Sequence, residues 1–305
     1  MSSSLPEGFD VRFATGADAP AVAELARAVE ATVLGTAVIT EGDVRDWWRT
    51  TEPGENVWLI HGGGRLVGAS TLWPRGDAPN VWGDVHPDVL GHGLGTALLE
   101  LAEGRARDLG AAAVRNDVFA QDETAVPLLE SRSYRPVRRY YEMRIALGDE
   151  APDEPEWTAG ITVAPFREGD GPAFHRVLAE AFRDEWGSTP MEYDEWRRAR
   201  IEADDVDLAL WSLVRDGDEV VAVVRCDAFR YGGGWVAGLG VHERWRRRGI
   251  GLALLQHTFR VFHARGERSV GLGVDSENPT GATRLYERAG MHVESESVTF
   301  EKGLS

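Results

Sequence analysis

The sequence predicts an α/β protein built as two tandem copies of one unit, with sheets flanked by helices. Three observations carry that expectation. The chain has 305 residues, enough for two domains. It repeats itself at an offset of 152 to 156 residues. Within each copy, short apolar strands and apolar-periodic helices follow one another in the same order.

The elements align in turn. Asp10–Thr15 followed by G-A-D-A-P-A-V-A-E-L matches Ile161–Arg167 followed by E-G-D-G-P-A-F-H-R-V-L, a strand leading into a helix, with Asp18 opposite Asp170. Asn56–Ala69 matches Ala209–Val223, each a hairpin turning on Gly and polar residues. Val81–Gly95 matches the segment from Trp235 to Gly251, with Gly93 opposite Gly249. Each copy therefore reads as strand, two helices, hairpin, fourth strand, glycine-rich turn with a long helix, fifth strand, another helix and terminal strands. The acidic, Pro-rich stretch L-G-D-E-A-P-D-E-P-E-W-T-A-G separates the copies. The expected division is a first domain over residues 1–147, a linker over 148–160 and a second domain over 161–305.

Composition narrows the function. Hydrophobic content of 43%, with 11 Trp and 10 Phe, fills two cores. The lone cysteine, Cys226, rules out an internal disulfide framework and a cysteine-rich metal site, and its apolar strand context makes it core. No apolar run approaches the ~18 residues of a membrane span, and M-S-S-S-L-P has no signal-peptide core, so a soluble cytoplasmic protein is expected. Lys302 is the sole lysine, an Arg bias typical of a high-GC bacterial genome. A net charge of −17 excludes nucleic acid as a partner. The same acidity either steers a cationic substrate or only keeps the chain soluble.

The chemistry concentrates in two stretches of the second copy. W-R-R-R-G-I-G (Trp245–Gly251) follows the apolar strand Trp235–Val241 and precedes a helix carrying Leu252, Leu254, Leu255, Phe259 and Phe262. Strand, glycine-rich turn and helix N-terminus together offer unpaired N–H groups and a favourable dipole to an anion. Gly249 and Gly251 would let the backbone approach phosphate oxygens, with Arg246, Arg247 and Arg248 adding charge beside them. Further on, E-N-P-T-G-A-T-R-L-Y-E-R-A-G-M contains Asn278 and Tyr286. Asn278 and Pro279 also suit an N-cap followed by Pro at the first helical position.

These two stretches, in this order and at this separation, resemble the signature of the GCN5-related N-acyltransferase (GNAT) superfamily. Arg246, Gly249 and Gly251 occupy the defined places of its [Q/R]-x-x-G-x-[G/A] turn. The resemblance implies a mixed, mostly antiparallel sheet flanked by helices in each copy, and acetyl-CoA as cosubstrate. It places the coenzyme against Leu239, Val241, Arg246, Arg247, Arg248, Gly249, Ile250, Gly251 and Asn278. A backbone N–H near Val241 would meet the developing oxyanion. Tyr286, a phenol that stays protonated at neutral pH, would protonate the leaving thiolate. The doubling resembles the tandem members of the superfamily, the group that includes mycothiol synthase, although no segment singles out that substrate.

The implied activity is transfer of an acetyl group to a primary amine of a small molecule, by a monomer or homodimer, without a metal. A non-catalytic acyl-CoA sensor and a protein N-acetyltransferase are the alternatives. The acceptor would enter near Ala181–Trp196, with Trp186, Tyr193 and Trp196 as walls and Asp184, Glu185, Glu192 or the strand residue Asp227 taking its proton. Glu185 and Asp227 are the preferred candidates, and His175 reads as structural. In the first copy, Leu90 replaces Arg246, and carrying Asn278, Tyr286 and Gly290 back by 157 residues lands on Gln121, Leu129 and Ser133. That copy keeps Gly91, Gly93 and Gly95 but lacks the proton donor. Catalysis is expected in the second copy, while the first either holds a coenzyme or shapes the cleft.

Overall fold

The structure, a computed structural model, describes residues 5–74, 76–187, 191–203, 206–278 and 280–304. The first copy forms β1 (Phe9–Phe13), α1 (Ala19–Val33), α2 (Glu41–Trp47), α3 (Pro53–Asn56), β2 (Val57–Gly62), β3 (Arg65–Trp73), β4 (Asn80–Val85), α4 (Leu94–Asp108), β5 (Ala113–Phe119), α5 (Ala125–Ser131) and β6 (Arg135–Ala146). The second forms β7 (Ile161–Pro165), α6 (Gly171–Ala181), α7 (Tyr193–Arg200), β8 (Ser212–Asp216), β9 (Glu219–Arg230), β10 (Gly233–Val241), α8 (Ile250–Ala264), β11 (Ser269–Asp275), α9 (Ala282–Arg288) and β12 (His292–Gly303). The mixed, mostly antiparallel α/β architecture is the expected one. No described helix is long and apolar enough to cross a membrane.

The repeat shows in local chemistry. Asp18 accepts the Thr15 N–H at 2.8 Å and Asp170 the Arg167 N–H at 3.0 Å, each holding the turn before its helix. Each carboxylate also takes an arginine, Arg12 or Arg215, at 2.6 Å. Pro20 and Pro172 stand in the first helical turn, where a missing N–H costs nothing.

Two compact units result, and they depart from the expected division. Unit 1 takes the chain up to Tyr140 and then the segment from Ser295 onward, while unit 2 is Tyr141–Glu294. In unit 1 the strands run β1-β2-β3-β4-β5-β12. β4 and β5 are parallel and the other ladders antiparallel. The final strand belongs there because Ser297–Gly303 pairs antiparallel with Ala113–Phe119. Val298 and Phe300 are buried in that core, and Lys302 reaches Glu103 at 2.7 Å. In unit 2 the order β7-β8-β9-β10 is antiparallel, β11 joins β10 in parallel, and β6 follows beside β11. Leu147, just past β6, donates its N–H to Arg268 at 2.8 Å.

The linker stretch is not a free tether. Trp157 packs edge-on to His257, Thr158 Oγ1 donates to the Arg248 carbonyl at 3.1 Å, and Arg260 donates to the Pro152 carbonyl. These contacts lay it along α8 in unit 2.

Candidate functional site

The site begins where the sheet of unit 2 opens. β10 and β11 pair only at Gly234–Val270 and Trp235–Gly271, then diverge. On its other edge β10 stays paired with β9 as far as Val241–Ala222, with a bulge at Ala237 whose carbonyl accepts from Arg225 at 3.2 Å. His242 donates its N–H to Val221 at 2.9 Å, toward β9. Backbone direction alternates along a strand, so the N–H groups of Val241 and Leu239 face the opposite edge, into the gap. That open edge suits an extended, amide-bearing chain.

The turn beyond it is shaped by three residues acting differently. Gly249, at φ +81°, has open space where a Cβ would stand. Backbone there can be approached from outside, as anion binding at a helix start requires. Gly251 has a packing reason to be small. A Cβ on Gly251 would fall 2.9 Å from Leu285 Cδ1 and 3.5 Å from Val241 Cγ2, so its smallness seats α9 and the strand end against α8. Arg247 is left-handed at φ 62° although it is not glycine. Arg247 and Arg248 are exposed. Arg246 is half-buried and turns back, its Nε donating to the Val241 carbonyl at 3.0 Å. Ile250 is buried and roots the helix.

Three acidic side chains meet electrostatically nearby. Tyr286, on α9, is half-buried by surface, and desolvation followed by the charge of Glu185 pushes its phenol up to about 12. Glu185, just past α6, is itself raised, by burial first and then by Asp275. Asp275, 1% exposed, ends β11 and accepts the Glu277 N–H at 2.9 Å. A phenol kept protonated and a carboxylate made more basic are the two states that proton donation and acceptance need.

The remaining candidates lie elsewhere. Asp227 pairs with Trp235 in register, six residues before Val241, or roughly 20 Å along the strand. Its carboxylate is ion-paired with Arg225 and Arg230, each at 3.3 Å. It is not brought to Tyr286. Trp196 is core: 6% exposed, it stacks on Phe174 and leans on Trp211. Tyr193 packs its hydroxyl over Gly171 and its ring against Trp196. His175 Nε2 lies 2.9 Å from the Met191 carbonyl, a structural link. Asp184 and Glu192 are exposed, and Trp186 is half-buried. Cys226 is buried, which pushes its thiol up, away from reactivity. Ser188–Pro190 of the acceptor loop lie outside the described residues.

Asn278 is not the N-cap of α9, which Gly281 supplies at φ 75°. Its Oδ1 accepts the Thr280 N–H at 2.9 Å and hydroxyl at 2.5 Å, forming a turn before the helix. Pro279 is outside the described residues. The counterpart in unit 1 is therefore Asp122, which takes the N–H and hydroxyl of Thr124 at 2.8 and 2.7 Å, and not Gln121. Gly93 keeps φ +81°, and a Cβ on Gly95 would fall 2.8 Å from Leu128, as at Gly251 and Leu285. Ser133 holds φ 69° where Gly290 holds φ 92°. Leu129, at the place of Tyr286, is sealed in the core. Two carboxylates escaped the sequence reading, Asp275 and Asp84. Each is an acid inside an otherwise apolar strand run, and that was the available signal.

Comparison with known proteins agrees with the geometry. The profile of the Acetyltransferase (GNAT) family matches residues 24–134 and again 172–291. A mycothiol acetyltransferase of Nocardiopsis dassonvillei is 30% identical over 233 residues, covering 68% of this chain and 69% of its own. The crystal structure of a GCN5-related N-acetyltransferase from Sphaerobacter thermophilus is 34% identical with a TM-score of 0.86, over 99% of this chain and 97% of that one. A tandem GNAT protein from the clavulanic acid biosynthesis pathway shares the fold at 16% identity, with a TM-score of 0.74 over 97% of this chain and 99% of that one.

Proposed function

The chain belongs to the acetyltransferase (GNAT) family, and we propose that it moves the acetyl group of acetyl-CoA to a primary amine of a small molecule, with the chemistry in unit 2. The observation that carries this reading is the place of Tyr286, on the helix that Leu285 seats over Gly251 of the glycine-rich turn, where burial and the charge of Glu185 keep its phenol protonated. Unit 1 has Leu129 in place of the phenol.

The coenzyme supplies an activated thioester carbonyl and a sulfur leaving group. Leu239 and Val241 would hold its pantetheine arm along the open strand edge. The N–H groups around Gly249 and Ile250, with Arg247 and Arg248, would take the phosphates. A Val241 N–H fixed by the β9–β10 ladder donates toward the carbonyl oxygen as charge develops there. Glu185 accepts a proton from the incoming ammonium, directly or through water, and Tyr286 donates one to the departing sulfur. The acceptor approaches from the α6–α7 side. Asp227 has no part in this.

Release of free thiol from acetyl-CoA across a panel of primary amines tests the reading. The deacetylated precursor of mycothiol belongs in that panel, because a relative carries the name mycothiol acetyltransferase. Thiol release with at least one amine, lost in Tyr286→Phe, is the expected result. Coenzyme binding without turnover on any amine would point to a sensor.

A further inference from the structure

The sheet of unit 1 opens as that of unit 2 does. β4 and β5 run parallel and pair only at Asn80–Arg115 and Val81–Asn116. Past that point a cavity of about 920 Å³ reaches from α1 on one side to α4 on the other, room for a small organic molecule. Its walls are largely apolar, with Val29, Val33, Leu94 and Val118 among them.

Polar residues interrupt those walls, and two of them, Ser70 and Asp84, are buried at the strand gap. Ser70 Oγ, on a residue 2% exposed, has no hydrogen-bond partner. Such a buried hydroxyl is costly unless something comes to it. Ser70 pairs in register with Gly83, whose missing side chain leaves the hydroxyl facing the cavity. Asp84 is 7% exposed and stands at the strand position that Gly240 takes in unit 2. There, Gly240 is needed because α6 packs so closely that a Cβ would fall 3.0 Å from Ala181. Strand alternation turns Asp84 and Ser70 to opposite faces, so the cavity threads the gap between them.

The charge around this gap is wrong for a coenzyme. Among the described lining residues none is Lys, Arg or His, while Asp84, Asp122 and Glu123 all line it. Leu90 and Gly91 stand where unit 2 has Arg246 and Arg247. Burial, reinforced by Glu30 and Asp122, pushes the Asp84 carboxyl up to about 7 in spite of a hydrogen bond from Trp82. A cation would relieve that field, and a phosphate would worsen it.

We propose that the unit 1 cavity is a binding site for an elongated primary amine, with its ammonium against Asp84, its apolar body in the strand gap and its far end reaching Ser70. The site is separate from the catalysis assigned to unit 2 and stands or falls without it. The remnant of a coenzyme gap has become a second amine site, suited to holding an acceptor or product.

Calorimetric titration of the full chain with 6-amino-1-hexanol, 1-hexanol and coenzyme A tests this. The aminoalcohol should show a component that Glu185→Gln leaves in place, that Asp84→Asn weakens about tenfold or more, and that Ser70→Ala weakens several-fold. The two substitutions are near-isosteric, and unchanged circular dichroism keeps the comparison valid. 1-Hexanol should give no such component. Coenzyme A should bind once, and Gly249→Asp should remove that binding. Aminoalcohol affinity indifferent to both Asp84→Asn and Ser70→Ala would overturn the proposal. So would a second equivalent of coenzyme A that survives Gly249→Asp and is lost in Gly93→Asp.

Discussion

Leu285 lies over Gly251 so closely that a Cβ on the glycine would come 2.9 Å from Leu285 Cδ1. The helix that carries Tyr286 is thus seated on the helix that follows the glycine-rich turn. Gly251→Ala should cost about 1–3 kcal/mol of stability by overpacking and should lower turnover by displacing α9. Adding Leu285→Val, which shortens the opposing side chain, should restore part of both. Thermal melting and steady-state rates on the single and double variants measure the coupling, and strict additivity would separate the two residues.

Gly249 should fail differently. Gly249→Asp puts a like charge beside the phosphates and a side chain on a residue at φ +81°. Loss of acetyl-CoA binding by calorimetry in a folded protein is expected. Gly93→Asp, the same change in unit 1, should leave turnover substantial. Unaltered coenzyme affinity in the first variant would remove the turn from the site.

Tyr286→Phe removes one hydroxyl and keeps the ring. Turnover should fall about 10²–10⁴-fold, the contribution of a positioned acid, with little change in apparent affinity for acetyl-CoA. The loss should shrink with thioesters whose leaving thiol is more acidic, since a stable thiolate needs less help. A uniform loss across leaving groups would assign the hydroxyl to positioning.

The pH profile should report Glu185. Burial and Asp275 raise its carboxyl above the ordinary value of 4.5. As a base it works ionised, so kcat/KM should fall as pH drops through that raised value, placing the acidic limb above the usual carboxylate range. Asp275→Asn removes a like charge and should move the limb to lower pH. A limb unmoved by both Asp275→Asn and Glu185→Gln would assign the base to another group.

Asp84 makes the opposite kind of prediction, about stability. Its folded value of about 7 lies above the ordinary 3.8, so the folded state holds the proton more tightly. Its contribution is fully present below pH 3.8 and is lost as pH rises through about 7. Asp84→Asn should therefore stabilise the protein at pH 8, by up to roughly 4 kcal/mol, and do nothing at pH 3. Denaturant melts at the two pH values decide it.

Much of this architecture was legible because period and punctuation are local properties. The strand at Trp235–Val241, the turn and the helix through Phe262 could be read from apolar spacing and glycines. The division of labour between Gly249 and Gly251 could not, because it depends on Leu285, far along the chain. Trp196 read as a pocket wall because an aromatic in an acidic segment looks the same whether it faces solvent or Phe174. Asp227 was a reasonable candidate by residue type, and only strand register shows it to be about six residues from the active end. The sequence alternation through Val298 and Phe300 announces a strand and its faces, but is silent about which sheet receives it.

That last strand has a consequence for how the protein is made. Unit 1 cannot close its sheet on β5 until Ser297–Gly303 has been synthesised, and by then every residue of unit 2 already exists. The half that leaves the ribosome first is finished last. Until then β5 presents an unpaired edge, the kind of surface that invites mispairing with other chains. A chain ending anywhere in residues 148–160 would lack the strand that completes unit 1, and a chain beginning there would carry that strand without the β5 it pairs with.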